Sequence, residues 1–251
     1  MTKTLGAVAV AALMATASHA LADDKPVSVV LVHGAFVDGS GWEQVYNRLT
    51  QDGYEVLVVQ NSTATLDGDV ATARRAIHNA KHPVVLVGHS YGGMIITEAG
   101  NDPKVRSLVY VAAYMPDAGE SVATLVAKPI PGYAPVPILP PQDGYLTVDS
   151  TKFPTFFAAD VDPTTTRFMA ASQVPWGQAA VTTKISQPSW KTKPAYALIT
   201  TEDHMIPAPQ QRQMTARARA HTTDITSSHA VMLSHPTDVV AFIERVATSP
   251  E

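Results

Sequence analysis

Cysteine is absent from the 251 residues, which excludes disulfide staples, a thiolate nucleophile and zinc or iron-sulfur sites built on thiolates. Charge is sparse, at 16% of residues, and no run of Lys or Arg is long enough to track a phosphate backbone. With 18 basic and 22 acidic residues, for a formal net charge of -4, nucleic acid is not an expected partner. An apolar run of the ~20 residues that span a bilayer is missing as well. The first run, Leu5 to Ala17, is shorter, so no stable membrane anchor is expected.

That run has another reading. Lys3 supplies a short basic start, and Ala20-Leu21-Ala22 before Asp23-Asp24 is a small-x-small cleavage pattern. Residues 1–22 therefore read as a secretory signal peptide cut after Ala22, with a cut after Ala20 as the alternative. The mature protein is expected to be exported, either periplasmic or secreted. The full sequence is 45% apolar with few charges, enough to provide the core of one domain, residues 23–251.

Val27 to Val32 is a β-branched and apolar run, interrupted by Ser28 alone, that ends at His33-Gly34, the pattern of a strand buried on both faces. Val56 to Val59, Val84 to Val87, Val105 to Ala112 and Ala195 to Thr200 repeat it, and His221 to Thr226 supplies a last strand. Segments of helical length separate them: Trp42 to Gln51, Asp67 to Asn79, Ser90 to Gly100, Pro207 to Ala218 and Pro236 to Ala247. Such alternation predicts an α/β fold with a mostly parallel sheet and helices on both faces. Tyr114 to about Lys193 breaks the pattern with two proline-rich stretches and the aromatics Phe153, Phe156, Phe157, Phe168 and Trp176. A structureless loop of that length does not suit a compact domain, so residues 114–193 are read as an inserted cap of short helices.

Gly88-His89-Ser90-Tyr91-Gly92 lies between a buried strand and a helix. This is the G-x-S-x-G pattern in the context that lifts a serine above a sheet edge, with glycines where neighbouring backbone leaves no room for side chains. Serine needs a base and an orienting acid. His229, between the last strand and the last helix, reaches the same edge; His235 is its rival. Asp203, after the strand ending at Thr200, is the candidate acid, with Glu202 and Asp117 as alternatives. Backbone donors for a developing oxyanion are expected from Tyr91 and from Ala35 in the loop after the first strand, Phe36 being the alternative to Ala35. His33 and His89 flank these glycines and read as scaffold.

His33-Gly34-Ala35-Phe36-Val37-Asp38-Gly39-Ser40-Gly41-Trp42, Gly88-His89-Ser90-Tyr91-Gly92-Gly93 and Ser228-His229 resemble the α/β-hydrolase superfamily over essentially all of the mature chain. The branch resembled includes small bacterial esterases, plant methyl-ester esterases and hydroxynitrile lyases. The resemblance implies Ser90 as nucleophile, Asp203 as acid, His229 as base and Ala35 and Tyr91 as oxyanion donors. It also implies a cap, and no metal or organic cofactor. The plant lyases carry lysine directly after the catalytic histidine; here that position is Ala230, which disfavours lyase chemistry. The expected activity is hydrolysis of small carboxylic esters through an acyl-enzyme. A cofactor-free perhydrolase or lyase on the same scaffold, or a non-catalytic small-molecule binding protein, is the alternative. Phe36, Met115, Phe156, Phe157, Trp176 and Met205 are candidate pocket residues for a small-molecule ester. Natural substrate and oligomeric state are not legible.

Overall fold

The computed structural model describes residues 25–249, so the expected signal segment lies outside the described residues. In chain order the elements are β1 (Ser28–Val32), a 3-10 turn (Gly39–Trp42), α1 (Glu43–Gln51), β2 (Glu55–Val59), α2 (Leu66–Asn79), β3 (Val84–His89), α3 (Gly92–Ala99) and β4 (Val105–Val111). The inserted region follows, with α4 (Val122–Leu125), β5 (Tyr145–Leu146), α5 (Phe153–Phe157), α6 (Pro163–Ala171), β6 (Trp176–Gly177) and α7 (Gln178–Thr182). After a second 3-10 turn (Ser189–Lys191) come β7 (Ala195–Thr200), α8 (Ala208–Ala218), β8 (His221–Ile225), α9 (Val231–Ser234) and α10 (Pro236–Thr248).

Six strands form one sheet in the order β2-β1-β3-β4-β7-β8, every neighbouring pair parallel. Because side chains alternate across a strand, each valine-rich run feeds two cores. Val30, Val32, Leu86, Leu108 and Tyr110 pack with residues of α2, α3 and α8. Val29, Leu31, Val85, Val87 and Val109 pack with α1 and α10. Helix α10 buries Val239, Phe242 and Ile243, and each such side chain contributes about 1.5–3 kcal/mol. Thr65 caps α2 by accepting from Gly68 N at 3.2 Å, which satisfies one of the orphan donors of the first turn.

The insertion is a helical cap closed at its base by paired backbone bonds, Gly119 N to Ile185 O and Ile185 N to Glu120 O, both 2.8 Å. Inside it, β5 and β6 form a short antiparallel ladder. Gly177 N, at the end of β6, donates to Thr63 O at 2.9 Å, which ties the cap to the loop before α2. Helix α3 starts at Gly92, later than the Ser90 expected from sequence, because Ser90 has φ +56° and that conformation cannot enter a right-handed helix. Among the described residues no helix is long and apolar enough to cross a membrane.

Candidate active site

Ser90 occupies the sharp turn between β3 and α3. Its φ of +56° costs roughly 1–2 kcal/mol for a residue with a Cβ, and surrounding backbone bonds offset that strain. Ser90 N donates to Val111 O at 3.3 Å, while Gly93 N at 3.0 Å and Tyr114 N at 3.2 Å donate to Ser90 O. Crowding here explains the glycines. A Cβ on Gly88 would stand 2.7 Å from Gly92 O, so the two flanks of the motif press against each other. A Cβ on Gly34 would stand 2.6 Å from Ser90 Cβ and 3.1 Å from its Oγ. Alanine at Gly34 therefore displaces the serine, and displacement of the order of 1 Å costs about 10²-fold in rate. Gly34→Ala is expected to lower kcat/KM by about that factor, measured as ester hydrolysis beside a melting curve that reports folding separately; unchanged kcat/KM contradicts the packing.

The loop after β8 carries His229, and the loop after β7 carries Asp203. Both side chains are fully buried, with His229 Nδ1 2.8 Å from Asp203 Oδ2. Asp203 is held from several directions: Oδ1 accepts from Met205 N at 2.8 Å and Ile206 N at 2.9 Å. Oδ2 also accepts from Thr200 Oγ1 at 2.9 Å and Gln211 Nε2 at 3.1 Å. A carboxylate fixed in this way accepts a hydrogen bond from the His229 Nδ1–H, which keeps the proton there and leaves Nε2 as the lone-pair nitrogen. That Nε2 is buried and has no hydrogen-bond partner among the described residues. Its bond to Ser90 Oγ is thus not made in the free protein, where such bonds are often longer than in complexes.

The alternatives named from sequence lie elsewhere. Glu202 is exposed, Asp117 pairs with Lys191 at 2.6 Å, and His235 sits 3.7 Å from Asp160 and 3.6 Å from Asp238. His89 has a part that sequence reasoning missed. Its Nε2 donates to the His229 carbonyl at 2.9 Å, and the two rings lie 4.6 Å apart. Burial, and then the neighbouring His229, hold the His89 imidazole well below its ordinary pKa. It is a neutral donor that fixes the backbone of the His229 loop, and nothing in the five-residue motif signals this.

Ser90, Tyr91, Ala35 and Phe36 line one cavity of about 390 Å³. Among the described residues, neither the Ala35 nor the Tyr91 N–H donates to a loop or turn carbonyl. Phe36 has φ +66° and its carbonyl accepts from Val174 N at 3.3 Å. The Tyr91 hydroxyl donates to buried Asp69 Oδ2 at 2.9 Å; burial pushes both groups upward in pKa. Trp176 packs against Tyr91 and Phe36, with ring centroids 5.2 and 5.5 Å away.

Of the six candidate pocket residues, Phe36, Trp176 and Met205 line the cavity and Met115, Phe156 and Phe157 do not. Phe157 stacks on Phe153 at 4.7 Å and fills the joint between cap and sheet. Met115 is fully buried beside Met214, whose Sδ lies 3.4 Å from Met115 N. Phe156 packs on the His204 ring, 5.9 Å between centroids. Much of the lining comes instead from the proline-rich segment of the cap, including Pro129, Ile130, Tyr133, Pro135 and Val136. Among the described residues, Lys128 is the one Lys, Arg, Asp or Glu on the wall, so the cavity suits an apolar body. Among the described residues, no group of three or more His, Asp or Glu is placed to hold a metal ion.

Residues 29–242 match the model of the alpha/beta hydrolase family. The chain belongs to this family. Within it, the chain is similar to a carbendazim hydrolyzing esterase of Nocardioides sp. (strain SG-4G), 36% identical over 116 residues, or 41% of this chain and 48% of that protein. That match therefore spans about half of the esterase's length. It is also similar to the alpha/beta hydrolase nvfD of Aspergillus novofumigatus (strain IBT 16806), 24% identical over 246 residues covering 89% of this chain and 97% of the other. Among solved structures, a pyrethroid hydrolase from Sphingobium faniae JZ-2 superposes with a TM-score of 0.76 at 21% identity, covering 89% of this chain and 98% of the other. At that identity the likeness shows the hydrolase fold alone.

Proposed function

We propose that this member of the family is a serine hydrolase that cleaves small carboxylic esters through an acyl-enzyme. The observation that carries the reading is the fully buried Asp203–His229 pair, together with a serine on a strained turn that lines an apolar cavity. Nothing in small-molecule binding alone calls for a nucleophile, a base and an acid on three adjoining loops.

Each step follows from these groups. His229 Nε2 takes the Ser90 proton as the hydroxyl oxygen attacks the ester carbonyl, and the charge that develops on the carbonyl oxygen is met by the Ala35 and Tyr91 amides. Collapse expels the alcohol, which receives the proton from His229. Water then gives a proton to His229 as it attacks the acyl carbon; as this adduct collapses the bond from the acyl carbon to Ser90 Oγ breaks, His229 returns the proton to Oγ, and the acid leaves. Asp203 keeps the imidazole in the tautomer this cycle requires and offsets its positive charge. Ala230, fully buried beside the base, offers no cation to an anionic leaving group, which favours hydrolysis over lyase chemistry.

A panel of p-nitrophenyl esters from acetate to palmitate tests the reading. Rates are expected to be highest on short and medium acyl chains and to fall by palmitate, since the cavity is modest and lined at its rim by the cap. The partial likeness to a carbendazim hydrolyzing esterase adds carbendazim to the panel. A folded protein inactive on every member contradicts the proposal.

A further inference from the structure

The loop that carries His229 is held by the cap. Asp160 lies at the cap corner between α5 and α6, and its carboxylate accepts three bonds from that loop. Ser227 Oγ donates to Oδ2 at 2.8 Å and Ser228 N donates to Oδ2 at 3.1 Å, while the Ser228 hydroxyl donates to Oδ1. A hydroxyl has one proton, so with that of Ser227 committed to Asp160, the Ser234 hydroxyl 3.0 Å away donates to Ser227. Asp160, Ser227 and Ser234 thus connect the two sides of His229, from residue 227 to the end of α9. Three residues before Asp160, the Phe157 ring meets the His229 ring edge-on, 4.8 Å between centroids. The same few cap residues therefore touch the imidazole and bind the backbone that presents it.

These are bonds to a charged acceptor, about twice as strong as neutral ones, and only 26% of the Asp160 side chain is exposed. Burial pushes the carboxyl upward, but the hydrogen bonds from the Ser228 hydroxyl and amide and from Ser227 outweigh it and hold the group below its ordinary pKa. His235 Nε2, 3.7 Å from Oδ2, adds a neighbour on the far side of the loop. Such an arrangement exceeds what a roof over the pocket requires: a roof needs contact with substrate, whereas these bonds end on the residues next to the base.

We propose that Asp160 is a positioning residue that sets His229 through Ser227 and Ser228, so that the cap completes the base as well as covering the pocket. The proposal rests on the reading of Ser90 and His229 as nucleophile and base. A cap tether alone governs substrate binding and appears in KM. A support for the base governs proton transfer and appears in kcat and in the reactivity of Ser90.

The test compares wild type, Asp160→Ala and Asp160→Asn in kcat and KM on p-nitrophenyl butyrate and in the rate of covalent labelling by a fluorophosphonate, with melting curves alongside. Asp160→Ala is expected to lower kcat and the labelling rate together by about 10- to 100-fold, the scale of a misplacement near 1 Å, with KM little changed. Asp160→Asn, which keeps one oxygen acceptor, falls between the alanine variant and wild type. Folded variants with wild-type kcat and labelling, or with a change in KM alone, overturn the positioning role. If the alanine variant does not fold, the asparagine variant decides by the same split. A wild type that neither turns over nor takes the label overturns the nucleophile reading itself; an active wild type beside unaffected Asp160 variants overturns this proposal only.

Discussion

Ser90→Ala is expected to lower kcat for ester hydrolysis by about 10⁵- to 10⁶-fold, the scale seen when the nucleophile of a serine triad is removed. The substitution takes away one oxygen and little else. Alanine carries the same Cβ into the φ +56° turn, so the backbone strain is unchanged, and the bonds that hold the turn are made by main-chain atoms. The melting temperature should therefore stay close to that of wild type. Residual rate would come from the cavity and the Ala35 and Tyr91 amides acting on substrate and water without a covalent step. Steady-state kinetics with a fluorescence melting curve separates the two effects, and retention of more than a few per cent of kcat in the folded variant contradicts the assignment.

Asp203→Asn should cost about 10⁴-fold in kcat, near 5 kcal/mol of barrier, with geometry largely intact. Five donors converge on this carboxylate: His229 Nδ1, Thr200 Oγ1, Gln211 Nε2 and the amides of Met205 and Ile206. An asparagine supplies one acceptor oxygen and sets an NH₂ against the rest. With its oxygen on the Met205 and Ile206 amides, its NH₂ faces His229 Nδ1, which must then accept; the proton moves to Nε2, and the base has no lone pair for Ser90. The opposite flip leaves the two buried amides unpaired, at a cost of about 1–3 kcal/mol each. Either way kcat falls, and the melting temperature tells which flip prevails. Folded Asp203→Asn with wild-type kcat contradicts the role of this acid.

Most of the strand-helix plan was legible because burial on both faces leaves a nearly unbroken apolar signal, as in Val84 to Val87 and, with Ser28 as its one interruption, Val27 to Val32. The last strand, β8, is exposed along much of its length and carries no such signal. Helix starts were less legible. Ser90 resembles a helix opener in sequence but is excluded from α3 by its left-handed backbone, which depends on Gly34, Val111 and Tyr114 closing around it in space.

Residues of the candidate site divide in the same way. Ser90, Asp203 and His229 each follow a strand, so chain order and the shared sheet edge singled them out. His89 and Asp160 bond to the backbone and hydroxyls of residues 227–229, and no spacing in the chain announces a contact across 140 or 67 residues. The pocket wall was the least legible part. Aromatics drew attention in the cap, yet Phe153 and Phe157 are buried in its joint with the sheet and Phe168 is 71% exposed. Much of the wall comes instead from the proline-rich segment, whose path is decided by how the cap docks.

The most direct test of the central claim is intact-mass analysis after exposure to an organophosphonate, with peptide mapping of the adduct. One adduct per chain on the peptide containing Ser90, absent from Ser90→Ala, is the result expected of a serine activated by His229 and Asp203. A folded wild-type protein that takes no adduct, or one whose adduct persists in Ser90→Ala, would contradict it.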